Sequence, residues 1–209
     1  MRKIRGQYLE IDEPSAEELE WIYESLQLPE IYAPLSLGAR PARDQFERGE
    51  LYLIEGEGDG VEAVRYYVAR LLETGNAWGF FIEYGWEGAF DTTREFDLAI
   101  PHSTKHSIGL LLEAHVVGAQ YLFVNGLAKR LRWRVKGPKG RAPRWYGRLG
   151  ARHIGEMTEP HPISGEPLSK HVYELSLAEF RALFSRNGLD PEVDYGSSDK
   201  PIWDLLRRK

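Results

Sequence analysis

Cysteine is missing from all 209 residues. That excludes disulfide staples, thiolate-bound zinc and a thiol nucleophile, and it fits a reducing compartment. Long apolar runs are missing too. No stretch approaches the ~18 residues that suggest a membrane span. The opening "MRKIRGQYLEIDEP" has basic residues with no apolar run behind them, so it does not read as a secretory signal. A cytoplasmic protein without a membrane partner is expected. Several catalytic signatures are absent as well. There is no Gly-x-Ser-x-Gly elbow and no His-Glu-x-x-His, and "GEGDG" (56–60) lacks the Gly-Lys-Ser/Thr of a phosphate loop. The six histidines (102, 106, 115, 153, 161 and 171) show no metal-ligand spacing, and no metal is expected. His115, on the apolar side of a helical pattern, reads more readily as a satisfied core residue than as a ligand.

What is present is the composition of a soluble globular chain, 42% apolar and 28% charged. The length suits one generous domain, or one domain and a tail. The net charge of −5 hides an asymmetry. Between Leu127 and Ile154 stand ten Lys or Arg and no Asp or Glu. Gathered positive charge points to an anionic ligand, nucleic acid included; the plainer reading is a solvated face with apolar stems. Trp133, Trp145 and Tyr146 among these arginines have the composition of a base-stacking surface. Alternation, however, sets Trp133 with Leu131 and Val135, on the side of a core.

Periodicity supplies the elements. "IRGQYLEID" (4–12) alternates as a strand. Ser15 and Glu18 form a capping-box pattern ahead of Leu19, Ile22, Tyr23 and Leu26. Residues 40–50 suggest a short second helix ending near Gly49. Residues 51–60 read as either a strand or a helix end. "VRYYVARLLETGNAWGFFIEYGW" (64–86) is a hairpin around a Gly/Asn turn. "REFDLAIP" (94–101) is a buried strand, and residues 107–126 form the longest helical pattern, stopped at Asn125-Gly126. Strand 128–136, a short helix closed by Gly150, strands 151–159 and 170–177, and a last helix complete the order. A mixed sheet with helices on both faces follows.

Three stretches in this order resemble the GNAT acyltransferase superfamily, and most of all its ribosomal-protein N-terminal acetyltransferase branch. They are "YYVARLLETGNAWGFF", "GLLLEAHVVGAQYLF" (109–123) and "KGRAPRWYGRLGARHIGE". The second matches the Gly-x-(Ala/Gly)-(Thr/Ser)-Glu-Ala opening of the cofactor-binding helix. The third matches the Asn-x-x-Ser-x-Arg-x-x-x-x-Leu-Gly-Phe-x-x-x-Gly signature. The likeness covers about residues 4–177. It implies an α/β (α+β) fold with a mixed, mostly antiparallel, twisted sheet of about 6–7 strands. It also implies two splayed strands that hold acetyl-CoA between them. Residues 1–177 would form the acyltransferase domain, and 178–209 a C-terminal helix and tail. This sequence departs from the pattern at Leu111 (usually Gly or Ala), Lys139 (Asn) and Ala151 (Phe).

A diphosphate needs converging backbone N–H groups, which a strand-to-helix turn supplies with help from the helix dipole. Here that turn is "HSTKHSIG" (102–109). Lys105 and His106 would add charge, and Ser107, Ile108, Gly109 and Leu110 would offer amides. An ordinary connection capped by Ser107 is the alternative. The resemblance assigns Lys139 and Arg141 to the 3′-phosphate. Acyl transfer to an amine needs a base, an oxyanion donor and an acid for the departing thiolate. The family position implies Tyr146 as the acid; a core-packed ring is the other reading. Glu95 and Asp97, two apart on one strand, share a face and are the candidate bases, with Glu83 a third. The oxyanion donor would be a backbone N–H near Leu98–Ile100.

The expectation is an N-acyltransferase that moves acetyl from acetyl-CoA to a primary amine by direct attack in a ternary complex. The acceptor would be a protein N-terminus, a lysine or a small molecule. The alternative is a GNAT-shaped binding or structural protein. It would use residues 127–154 for nucleic acid or a protein, or dock its tail on a neighbour. Oligomeric state is left open.

Overall fold

The computed structural model describes residues 1–32, 35, 40–55, 58–85, 93–101, 108–136, 142–161 and 164–196. In chain order the elements begin with β1 (Ile4–Arg5), β2 (Leu9–Asp12), α1 (Ala16–Leu26), α2 (Pro29–Tyr32) and α3 (Arg43–Glu47). Then come β3 (Glu50–Glu55), β4 (Gly58–Leu71), β5 (Ala77–Gly85), β6 (Thr93–Ala99), α4 (Ile108–Val124) and β7 (Arg130–Lys136). The last are α5 (Ala142–Arg148), β8 (Arg152–Pro160), β9 (Pro167–Ser176) and α6 (Leu177–Arg186).

Local chemistry fixes much of this. The Ser15 hydroxyl accepts from the Glu18 N–H at 3.3 Å, and the Glu18 carboxylate accepts from the Ser15 N–H at 2.7 Å. This closes two donors that a helix start leaves open. Ser176 and Glu179 repeat the device at α6. In the run 4–12 the structure departs from one continuous strand. The chain turns at Gly6 and pairs β1 with β2, Ile4 opposite Ile11. The cause lies far away in sequence. Glu113 on α4 reaches the turn and accepts from the N–H groups of Tyr8 and Leu9 at 2.6 and 2.8 Å. Gly6 is required there, because a Cβ would collide with that carboxylate.

Within the run 51–60, residues 51–55 belong to β3 and 58–60 open β4. β4 is 14 residues long, and β3 pairs with its first part, while β2 and β5 flank its second. The order across the sheet is β1-β2-β4-β5-β6-β7-β9-β8, with β3 attached to β4. That is more strands than the 6–7 expected, because β1 and β3 become strands of their own. Every pairing is antiparallel except β6 with β7.

Helices cover both faces. α1, α2 and α3 place Ile22, Leu26, Ile31 and Phe46 against Tyr66, Phe80, Ile82 and Tyr84. α4, α5 and α6 pack on the other face with Phe81, Phe96, Leu131, Trp133 and Tyr173. α4 has almost no polar side because it is enclosed. Phe96 presses on it at Gly118, where a Cβ would stand 2.6 Å from Cζ. On its far side Gln120 donates to the carbonyls of Pro191 and Val193 at 2.7 and 2.8 Å. Phe180 and Phe184 of α6 are fully buried in the same core. Among the described residues, no helix is long and apolar enough to cross a membrane.

Candidate active site

β6 and β7 start side by side and then part. They pair at Thr93–Arg130, Arg94–Leu131 and Glu95–Arg132, and there the ladder stops. Both strands run on. β6 stays paired to β5 as far as Ala99 with Phe80, and β7 to β9 as far as Lys136 with Lys170. The sheet therefore opens into a wedge between Phe96–Ala99 and Trp133–Lys136. Leu98 and Ile100, the expected region of the oxyanion donor, flank the opening, both partly buried.

Glu95 and Asp97 share one face of β6, the face that carries Ala99 and packs towards α1–α3. Glu95 accepts from Arg134 Nε of β7 at 2.7 Å. Arg134 also faces Glu159 of β8 at 4.0 Å, and Glu159 pairs with Lys170 of β9 at 2.6 Å. A row of buried charges thus crosses four adjacent strands. Burial pushes both Glu95 and Asp97 above the ordinary carboxylate range, and the cations Arg134 and Lys170 pull them back only in part. Glu95 Oε2 is buried with no hydrogen-bond partner among the described residues. Raised carboxyls beside a cleft are poised to take a proton near neutrality.

Glu83, the third candidate, faces the other way. It accepts from the Tyr67 hydroxyl and lies 3.0 Å from Arg94 Nε, under α4. It does not share the face of Glu95 and Asp97.

Tyr146 comes to the wedge from α5. Its ring is stacked on Tyr173 at 5.4 Å and leans on Trp133 at 5.1 Å. Its hydroxyl lies 3.1 Å from His115 Nε2. His115 Nδ1 lies 2.7 Å from the Leu111 carbonyl, which can only accept. The proton therefore sits on Nδ1, and Nε2 is left to accept from the phenol. Burial keeps His115 below the ordinary imidazole range and so neutral, and burial together with the charge of Asp97 raises the Tyr146 phenol well above its usual range. Tyr146 is thus a packed core ring whose hydroxyl donates to His115, with Asp97 within electrostatic reach.

The first turn of α4 holds Ile108, Gly109 and Leu110. Gly109 and Leu110 border a cavity of about 690 Å³ with Gln7, Tyr8, Leu71 and Leu72. Leu111 leans on the core. Lys105, His106, Ser107, Lys139 and Arg141 lie outside the described residues.

Four arginines of the basic segment are paired with carboxylates rather than left as a free positive face. Arg130, Arg132 and Arg152 all face Glu174, at 3.4, 3.2 and 3.7 Å, and Arg134 faces Glu95. Trp133 and Tyr146 are buried. Two of the three rings that a stacking surface would expose are inside and Trp145 is partly buried, and the carboxylates opposing these arginines come from strands distant in sequence.

No protein-family model and no curated protein matches the sequence. Solved structures do match. A GCN5-related N-acetyltransferase from Brucella melitensis covers 99% of this chain and 95% of its own at a TM-score of 0.60 and 14% identity. An aminoglycoside acetyltransferase, solved with coenzyme A and kanamycin, covers 83% of this chain and 98% of its own at 0.57 and 18%. A GNAT-family acetyltransferase from Bacillus anthracis covers 84% and 98% at 0.56 and 13%. The fold is that of the GNAT acetyltransferases.

Sequence reasoning missed Arg134, Lys170, Glu159 and the pairing of His115 with Tyr146. The even-numbered positions of β7, opposite Leu131, Trp133 and Val135, were the available signal for Arg134. Lys170 and Glu159 carried none without the sheet register.

Proposed function

We propose that the chain is an N-acetyltransferase that joins the acetyl group of acetyl-CoA to a primary amine within a ternary complex. The observation that carries this reading is the wedge between β6 and β7, with a raised carboxyl pair on one side and Tyr146 on the other. The residues fit the co-substrate. An opened parallel pair offers backbone edges to an extended arm, and the N-terminal end of α4 carries the partial positive charge that favours an anion. Leu111, the bulkiest departure from the family motif, rests against the core. Ile108, Gly109 and Leu110 would hold the diphosphate with Lys105, His106 and Ser107, and Lys139 and Arg141 the 3′-phosphate.

Acetyl-CoA supplies an activated thioester. Asp97, or Glu95 beside it, takes the proton of the attacking amine, directly or through water. The backbone N–H groups near Leu98–Ile100 steady the developing oxyanion. Tyr146 returns a proton to the departing sulfur. At rest its O–H points to His115, so delivery requires rotation about the C–O bond, a cheap motion. The acceptor is a primary amine, and the carboxylates of the cleft favour one that arrives as a cation. The ribosomal-protein branch makes a protein N-terminus one class; lysine side chains and small polyamines such as aminoglycosides are the others.

The test is calorimetry with CoA and acetyl-CoA, followed by thiol release with one acceptor of each class. Micromolar binding that Gly109→Val or Lys105→Ala weakens, together with acceptor-dependent thiol release, supports the reading. Absence of CoA binding by folded protein ends it.

A further inference from the structure

We propose that His153, Glu156 and His171 form a binding site for a divalent transition ion, zinc(II) first, at the edge of the sheet. The histidine spacing in the sequence gives no hint of it, because residues three apart on a regular strand point to opposite faces. Here β8 is bulged. His153 stands opposite Tyr173, Gly155 opposite Val172 and Glu156 opposite His171. The extra residue, Ile154, returns Glu156 to the face of His153. His171, two residues before Tyr173 on β9, shares that face.

The geometry is that of a ligand set. His153 Nε2 lies 3.1 Å from His171 Nδ1, and Glu156 Oε1 lies 3.2 Å from that same nitrogen. All three ligand atoms are within 4.8 Å of one another. Ligands about 2.0–2.1 Å from a tetrahedral ion stand roughly 3.3 Å apart, so two of the three edges already have that length. One proton on Nδ1 can satisfy only one of the two contacts that converge there, whereas a cation satisfies all three lone pairs. Two imidazoles and a carboxylate are the ligand types of open zinc sites, with the fourth position left to solvent. His171 is held by packing, its side chain 12% exposed, while Glu156 at 60% leaves a way in.

Occupancy would clip β8 to β9 at the bulge. The His153 ring lies 5.3 Å from Tyr173, which stacks on Tyr146. The clip therefore braces the hairpin behind Tyr146 without touching reacting atoms, and it stands or falls separately from the transferase reading.

The experiment is calorimetric titration of the untagged, chelator-treated chain with zinc chloride at about pH 7.5. One ion per chain is expected, at micromolar affinity or tighter. His153→Ala and His171→Ala should each weaken it by about tenfold or more, and Glu156→Gln less. Zinc should raise the melting temperature of the wild type and leave that of His153→Ala unmoved. His153 is exposed, so its variant keeps the test sound if His171→Ala fails to fold. Equal zinc binding by wild type and by folded His153→Ala, or only millimolar binding by the wild type, overturns the proposal.

Discussion

The Tyr146 hydroxyl donates to Nε2 of His115 across 3.1 Å, and His115 can accept because its other nitrogen is committed to the Leu111 carbonyl at 2.7 Å. One helical carbonyl thus sets the direction of the phenolic proton. Tyr146→Phe keeps the stack on Tyr173 and Trp133 and removes only that donor. Turnover should fall by about 10²-fold or more, the usual worth of a positioned acid, with CoA affinity unchanged. His115 Nε2 would lose its partner, at about 1–3 kcal/mol of stability. Steady-state kinetics, calorimetry and denaturant melts read the three effects separately. An unchanged rate removes Tyr146 from the chemistry.

With Asp97 or Glu95 as the proposed base, the pair would set the pH dependence of the rate. Burial raises the first to about 6 and the second to about 8, and the two titrate as a pair. A base must be unprotonated, so kcat/KM should climb as pH rises through this window. Asp97 affects the Tyr146 phenol directly, whereas Glu95 is tied to Arg134. Asp97→Asn should therefore cost more activity than Glu95→Gln and should remove the climbing limb. Stability should run the opposite way. Both folded-state values lie above the unfolded ones, so this contribution is complete below about pH 4 and is lost as pH rises through 6 to 8. Glu95→Gln should flatten the loss, as read in urea melts across pH.

Which parts of this were legible in the sequence follows from how far each interaction reaches. The Ser15–Glu18 box, the β4–β5 hairpin and the alternation of Leu131, Trp133 and Val135 are local, and each appears where the pattern puts it. The break at Gly6 was hidden because Glu113, more than a hundred residues on, causes it. Glu113 occupies a position of the cofactor-helix motif, yet its carboxylate is spent on the turn between β1 and β2. The charge row Glu95–Arg134–Lys170–Glu159 was hidden for a related reason. It exists only once β6 lies parallel to β7 and β9 intervenes before β8.

The Glu113 contact is testable on its own. Glu113→Ala leaves the Tyr8 and Leu9 amides without their acceptor, at about 1–3 kcal/mol each. Gly6→Ala should cost a similar amount by a different route, since its Cβ would displace the same carboxylate. Because both act on one contact, the double variant should lose clearly less than the sum. Additive losses in chemical denaturation would show that Gly6 and Glu113 act apart.

Lys170 and Glu159 join the framework to the proposed base, Asp97. Their 2.6 Å pair is buried, with side chains 6% and 0% exposed. Removing one partner of such a pair costs about 3–5 kcal/mol, while replacing both with apolar groups is often neutral. Lys170→Met should thus destabilise strongly, and Lys170→Met with Glu159→Leu should recover much of the loss. The catalytic consequence is distinct. Lys170 is the leading counterweight to burial in holding Asp97 down, and Glu159 pushes it up. Loss of Lys170 alone should move the climbing limb of kcat/KM to higher pH. The double variant, which removes both opposing charges, should bring the limb part of the way back. A limb that stays in place in Lys170→Met, measured at a temperature where that variant is folded, would mean that Asp97 is not the group the rate reports.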